Sequence, residues 1–247
     1  MEAYNGFAKV YDQLMDDFDY PAWAAYCLEL LDEAGVQPGE ICDCACGTGN
    51  MTLEFARQGV RVIGADISRE MLELAAQKAR QSGVRAQFVC QDMCALTLPH
   101  PSDAIVCACD GVNYLTGDGR VRAFFAAARR ALRPGGALVF DISTPYKLRQ
   151  VMGDSFFGEE RDEVAYLWQN HLEGDVLVMD LTFFIREEDG RYRRVVEKHR
   201  QRAHEPQNLA RLLEESGFTD VRIYGDRTFD APGPEEMRVH ICARRES

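Results

Sequence analysis

No apolar run in this chain reaches the length of about 18 residues that a membrane-crossing helix needs. Its first stretch, MEAYNGFAKVYDQLMDD, is acidic and aromatic and has no basic segment leading into an apolar one, so it does not read as a secretory signal. Basic residues are in deficit, 28 Lys and Arg against 40 Asp and Glu, for a net charge of −12. Such a field repels nucleic acid and anionic membrane. Neither repeats nor low-complexity segments stand out. The nine cysteines are odd in number and keep no zinc-finger spacing, which favours a reducing, cytoplasmic setting over a disulfide framework.

What is present is a chain with the composition of a globular protein, 46% hydrophobic, and with enough length for one large α/β domain or one domain plus an appendage. Residues 41–50, ICDCACGTGN, set cysteines at every second position before a glycine loop. Alternate residues on a strand lie about 6.5–7 Å apart. Thiolates sharing one zinc hold their sulfurs only about 4 Å apart. A straight strand cannot gather three of them, so Cys42, Cys44 and Cys46 read as small buried side chains of a central strand.

Helical spacing in PAWAAYCLELLDEAG (21–35) stops at Gly35. ICDCA then reads as a strand, CGTGN as a loop and MTLEFARQG as a helix. RVIGAD (61–66) is a second strand, and SREMLELAAQKARQSG a helix with Ser68 as its N-cap and Gly83 just past its end. AQFVCQD (86–92) and SDAIVCACD (102–110) read as two more strands, each ending in aspartate. GRVRAFFAAARRALRPGG is expected to be a helix closed by Pro134-Gly135-Gly136, ahead of a fifth strand, ALVFDIS. This alternation predicts a parallel, doubly wound sheet. After about residue 150, three strand-like runs follow with only turns between them, which predicts a three-stranded antiparallel insertion at roughly 155–203. A helix and two strands then complete the chain. Within the insertion, RYRRVVEKHRQR (191–202) puts Arg194, Lys198, Arg200 and Arg202 on one face. That face reads either as a solvated surface balanced by acidic neighbours such as Glu187, Glu188 and Asp189, or as a docking surface for an anionic group.

Ligands of open parallel sheets bind beyond the carboxyl ends of the strands. Asp43, Asp66, Asp92 and Asp110 all map there, beside the glycine loop. The loop runs Gly47-Thr48-Gly49-Asn50-Met51-Thr52 and lacks the third glycine of a dinucleotide fingerprint. Asp66 suits a ribose diol and Asp92 an exocyclic amine, a pattern that asks for an adenosine whose remaining group is not a pyrophosphate.

CDCACGTGN, GADISREML, CQDM, CDGVNYL and LRPGGALVFD together resemble, in order and spacing, the class I S-adenosylmethionine-dependent methyltransferases. The likeness spans essentially the whole chain. It implies an α/β, Rossmann-like, doubly wound and mostly parallel seven-stranded sheet with a small antiparallel β insertion, S-adenosylmethionine as cofactor, and no metal. The corresponding plan is a cofactor domain over 1–150 and 204–247, with an N-terminal lid over 1–35, and an insertion over 151–203 covering the substrate site. Carried over by position, Asp43, Ala45, Gly47 and Gly49 would line the methionine part, and Asp66 would hold the ribose hydroxyls. Ile67 would pack on the adenine, Asp92 would accept from its amine, and Met93 would lie against the ring. Backbone around Cys109 and Asp110 would bind the methionine ammonium. Ala45 stands where many members have the first glycine, a variation within the family pattern. YNGFAKVYDQLMDDFDYPAW is further similar to the leading segment of small-molecule enzymes that include glycine N-methyltransferase-like and amino-sugar N-methyltransferase groups. That likeness makes Tyr4, Tyr11 and Trp23 candidates for a lid over the cofactor, against a reading of them as a helix's core face.

A sulfonium donor is already activated, so positioning and exclusion of water can supply most of the acceleration. An amine acceptor needs only a free lone pair, whereas a hydroxyl acceptor wants a general base. His204 is the foremost candidate, with His171 and His199 beside it and Asn113 and Tyr114 to orient the acceptor. Arg238 and His240 on the last strand are further acceptor-binding candidates. The expected reaction is methyl transfer to a nitrogen or oxygen of a small molecule by a monomer or homodimer. Competing readings are an RNA or protein methyltransferase, a non-catalytic cofactor-binding regulatory module and, more remotely, an oxidoreductase on the same architecture.

Overall fold

All five residues of β1 (Glu40–Cys44) are buried, as befits a central strand covered by helices on both faces. The computed structural model describes residues 11, 12, 14, 18–161 and 163–246. Parallel to β1 run β2 (Arg61–Asp66) on one side and β4 (Ser102–Cys107) on the other. With β3 (Gln87–Cys90), β5 (Leu132–Ser143), β10 (Phe218–Tyr224) and β11 (Arg238–Arg245), the order is β10-β11-β5-β4-β1-β2-β3. Only β11 breaks the parallel rule, pairing antiparallel with both β5 and β10. The sheet is therefore the seven-stranded, mostly parallel one that the sequence implies. The strand order reverses between β1 and β4, which opens a crevice at their carboxyl ends.

Helices close both faces. α1 (Tyr20–Glu33) begins where the Asp19 side chain accepts from the Ala22 N–H, and it packs Leu30 and Leu31 against Ile41, Phe55 and Val139. α2 (Asn50–Arg57) follows Gly49, and α3 (Arg69–Ser82) is capped by Ser68 and ended by left-handed Gly83, as expected. α4 (Asp118–Ala131) and α5 (Pro206–Glu215) cover the other face, where Phe124, Phe125, Phe140 and Leu212 are fully buried.

Three expectations need correction. Pro134, Gly135 and Gly136 do not close a helix: α4 ends at Ala131 and β5 starts at once, with a register shift against β4 between Ser102 and Ala104. The approach is too tight for a side chain, since a Cβ on Gly136 would lie 2.6 Å from the Asp103 carbonyl oxygen. The third and fourth strands stop at Cys90 and Cys107, so Asp92 and Asp110 cap the short turns Met93–Ala95 and Gly111–Tyr114 instead of ending strands. The insertion, finally, has four strands, not three. β6 (Phe156–Glu160) joins β7 (Val164–Glu173), β8 (Val176–Arg186) and β9 (Tyr192–Arg202), all antiparallel. FFGEE escapes a pattern search because it is short, exposed at every residue and carries a glycine and two charges, the habit of an edge strand.

The basic stretch lies on β9, whose even-numbered positions face solvent while Val195, Glu197, His199 and Gln201 are buried. Lys198 pairs with Asp180 at 3.2 Å, Arg200 with Glu173 at 2.7 Å and Arg202 with Asp118 at 2.6 Å. The face is solvated and charge-paired, but its partners lie on β7, β8 and α4, while Glu187 meets Arg193 and Asp189 meets Arg191.

Candidate functional site

Beyond Cys44 the chain leaves the sheet through Ala45, with φ +58°, and Gly47, with φ +54°. A Cβ at Gly47 would meet nothing within 4 Å, so the loop backbone faces open space. Gly49 works differently: a Cβ there would lie 2.8 Å from that of Ala75, so its bareness lets α2 and α3 approach, and it is not part of the cleft wall. Asp66, at the end of β2, takes the Gly47 N–H on Oδ2 at 2.9 Å and the Ser68 N–H on Oδ1 at 2.8 Å. Burial pushes its carboxyl upward, and these donors partly offset that. Lone pairs remain on both oxygens for a diol. Next to it, Ile67 stands 56% exposed at the rim, and Met71 and Met93 line the wall nearby.

Asp43 is fully inside and accepts from the Thr52 hydroxyl, and burial raises its pKa to about 7. Asp92 lies at the opposite corner. Its Oδ1 accepts from Cys94 N at 2.9 Å and Arg120 Nη2 at 3.1 Å, and its Oδ2 from Arg120 Nη1 at 3.0 Å. Burial works against the charge, but the Cys94 N–H and the guanidinium outweigh it and hold the carboxyl below its ordinary value.

Tyr11 and Tyr20 line the cleft from the N-terminal side, both with phenol pKa values raised by burial, Tyr20 to about 12. Asp12 anchors this segment across the glycine loop: it accepts from Thr48 Oγ1 at 2.7 Å, Asn50 Nδ2 at 2.9 Å and Lys78 Nζ at 2.7 Å. At the other end Tyr114 lines the cleft, its hydroxyl 3.1 Å from His199 Nδ1 on β9. Burial lowers the His199 pKa to about 4, so the ring is neutral at neutral pH.

Of the residues singled out from sequence, Tyr11, Asp43, Ala45, Gly47, Asp66, Ile67, Asp92, Met93, Cys109 and Tyr114 meet around this cleft. Tyr4 lies outside the described residues. Trp23 sits in the core instead, with its ring 5.2 Å from that of His240 and 5.3 Å from the Arg238 guanidinium. His240 is buried and meets Asp226 at 3.3 Å. Arg238 pairs with Asp110 at 2.8 Å and with buried Asp141, while Gln201 donates to Asp110 at 2.7 Å. The Asp110 N–H goes to Asp141 Oδ2 at 3.0 Å and its carbonyl accepts from Asn113 N at 3.0 Å, so this residue stands behind the wall. Asn113 is a clamp: its amide donates to the Ser143 and Arg202 carbonyls at 2.9 Å each, and its side-chain oxygen accepts from Ser143 N. His204 is 2% exposed, with a pKa pushed down to about 4 by burial first and then by Arg202, and it is not among the cleft residues. His171 lies on the outer face of β7, near Glu173 and Asp180.

Sequence reasoning missed Tyr20, Arg120 and the Asp12 anchor. Tyr20 and Asp12 share the stretch that supplied Tyr11 and so carried some signal, but nothing in the sequence ties Asp12 to Lys78, 66 positions on. The cysteines divide: Cys42 and Cys44 are fully buried in the core, with Cys107 hydrogen-bonded to Cys44, while Cys46 and Cys109 border the cleft. Burial raises the thiol pKa values of Cys42, Cys46 and Cys109, so these stay protonated and un-nucleophilic. Among the described residues, no three His, Cys, Asp or Glu side chains are arranged to hold a metal.

Two carboxylates with open lone pairs, an exposed isoleucine between methionines and a bare loop fit an adenosine carrying an amino-acid tail. A family profile described as a methyltransferase domain matches residues 41–136. A Geobacillus sp. (strain WCH70) protein, a methyltransferase by provisional name, is 35% identical over 98% of this chain and 99% of its own. A ubiquinone/menaquinone biosynthesis C-methyltransferase of Teredinibacter turnerae is 28% identical over 90% of this chain and 84% of its own. Among solved structures, an S-adenosylmethionine-dependent methyltransferase from Clostridium acetobutylicum superposes with a TM-score of 0.89 at 31% identity, covering 99% of both chains. An amino pentose methyltransferase from Micromonospora echinaspora, solved with S-adenosylmethionine bound, shares the fold with a TM-score of 0.75 at 23% identity, over 98% of this chain and 97% of that one. The chain belongs to the class I S-adenosylmethionine-dependent methyltransferases, and S-adenosylmethionine is its cofactor.

Proposed function

We propose that this enzyme methylates a nitrogen or oxygen of a small organic molecule, seated between the cofactor cleft and the inner face of the four-stranded sheet. When bound, S-adenosylmethionine supplies a methyl group on a sulfonium whose departure leaves a neutral thioether. Asp66 would hold the ribose, Ile67 and Met93 the adenine faces, and the loop from Asp43 to Gly47 the amino-acid tail. Tyr11 and Tyr20 exclude water from one side and Tyr114 borders the other.

The observation that carries this reading is the Tyr114–His199 contact, 3.1 Å long, at the end of the cleft. A neutral imidazole behind a phenol gives an acceptor hydroxyl or ammonium a route for its proton, and Tyr11 and Tyr20 line the same cleft. The net charge of −12 opposes an RNA acceptor. The amino pentose methyltransferase among the structural neighbours is consistent with a nitrogen acceptor. The C-methyltransferase relative supports a second reading, in which the same pair removes the proton of a hydroxylated ring and carbon takes the methyl.

Transfer of labelled methyl groups to a panel of amines, hydroxy compounds, nucleotide-linked sugars and phenols tests the proposal. Labelling of a small amine or hydroxyl supports it. Label found only on carbon selects the second reading, and label only on RNA or protein refutes both.

A further inference from the structure

Arg120 belongs to no motif, yet it reaches from the first turn of α4 to the adenine corner of the cleft and lines it together with Asp92. The two side chains are 45% and 31% exposed. An ion pair so wet contributes only about 0–1 kcal/mol to folding. What the contact does supply is geometry, because a guanidinium that takes both oxygens of a carboxylate fixes its plane.

We propose that Arg120 is a positioning residue that sets the purine selectivity of the cleft, by clamping Asp92 so that its carboxylate offers one open lone pair to an exocyclic amine. The proposal rests on the assignment of Asp92 to the adenine. A carboxylate has about four lone-pair positions. Cys94 N and Arg120 Nη2 occupy two on Oδ1, and Arg120 Nη1 occupies one on Oδ2. The Cys94 thiol also reaches this carboxyl but has the Arg120 carbonyl as an acceptor at 3.3 Å; with its hydrogen turned there, the position left over is on Oδ2, and with Asp92 held ionised it can only accept.

Gln91 also lines the cleft, but its amide is spent on the Thr97 main chain at 2.8 and 3.0 Å. Ile67 and Met93 offer apolar surfaces, and adenine and hypoxanthine are flat rings of nearly the same size. Discrimination therefore falls on the ring edge. An amine donates to the open lone pair, whereas a keto oxygen would face it and leave two acceptors opposed. An unclamped Asp92 could turn its oxygens away or take up a proton and donate, and either change would admit the keto ring.

Calorimetric titration with S-adenosylhomocysteine and with S-inosylhomocysteine decides the matter, on the wild type and on Arg120→Ala and Arg120→Lys. The wild type is expected to prefer the adenosine ligand by about tenfold or more, the size of one hydrogen bond to a charged group. Arg120→Ala should lose most of that ratio and keep the unfolding midpoint of the wild type. Arg120→Lys retains charge without the fork and should recover affinity in part but not the ratio; if the alanine variant does not fold, the lysine ratio decides alone. A ratio unchanged in Arg120→Ala, a ratio restored by lysine, or a wild type that binds both ligands equally overturns the clamp. A wild type that binds neither ligand overturns the adenine assignment and the clamp with it.

Discussion

At the nucleoside end of the cleft, Asp66 takes its donors from Ser68, two residues on, and Gly47, 19 residues back. At the acceptor end, Tyr114 meets His199 across 85 residues and Asp110 meets Gln201 across 91. The first end is main chain at the edge of a parallel sheet, fixed by the same turns that start α2 and α3. The second is side chains facing each other from the turn after β4 and from β9 of the other sheet. On the proposed assignment, affinity for the cofactor is tied to the fold itself, while the identity of the acceptor depends on a surface that can change without disturbing it.

The sharpest way to break this contrast is Asp66→Ala. It removes the acceptor of two backbone donors as well as the diol partner, and should weaken S-adenosylmethionine binding by about 100-fold or more, the scale of two hydrogen bonds to a charged group. Binding within about threefold of wild type in calorimetry would undo the assignment of the nucleoside end.

Asp43 gives a pH signature of the same end. Its folded pKa is about 7 against 3.8 when exposed, so between those values the folded state holds the extra proton. Stability of the ligand-free enzyme should be greatest below about pH 4 from this group alone and fall as pH rises through about 7, by on the order of a few kcal/mol. Asp43→Asn should flatten that slope, as measured by urea midpoints at pH 5 and pH 8; a parallel slope in the variant would assign the effect elsewhere.

For the acceptor end, Tyr114→Phe and His199→Ala should each lower kcat by about tenfold to a hundredfold, as for loss of a proton acceptor. The Kd for S-adenosylmethionine should stay within about twofold in both. Loss of cofactor affinity equal to the loss of turnover would show that the two ends are not separable. The smallest effect is expected at the seam between them. Asp12→Asn keeps the contacts to Thr48 and Asn50 while dropping the charge toward Lys78, and should raise that Kd by about threefold to tenfold. Stopped-flow release of the cofactor should show the change in the off-rate.

This contrast also explains what the sequence could disclose. Strand and helix alternation, the Ser68 cap and the Gly83 stop are local and periodic, and they came through intact. Asp43, Asp66 and Ile67, at fixed offsets from the glycine loop, all fall on the cleft. Arg120 was not legible, because its partner lies 28 residues away through a turn whose path no pattern specifies. His204 and Asn113 looked catalytic by residue type and by nearness to the right strand. In the fold one is buried beside the Gly111–Tyr114 turn and the other spends its amide on two carbonyls. Gly49 sits in the expected loop, but its missing Cβ serves helix packing, a distinction that only three-dimensional neighbours reveal.

β11 is the last strand of the chain, yet it lies between β5 and β10 and brings Arg238 to the buried carboxylate of Asp141. Without β11, β5 would have a bare edge and Asp141 would lack its guanidinium partner. A substitution in β11 would therefore reach the interior of the sheet and the Asp110–Asp141 pair at once, although β11 follows the other described strands in sequence.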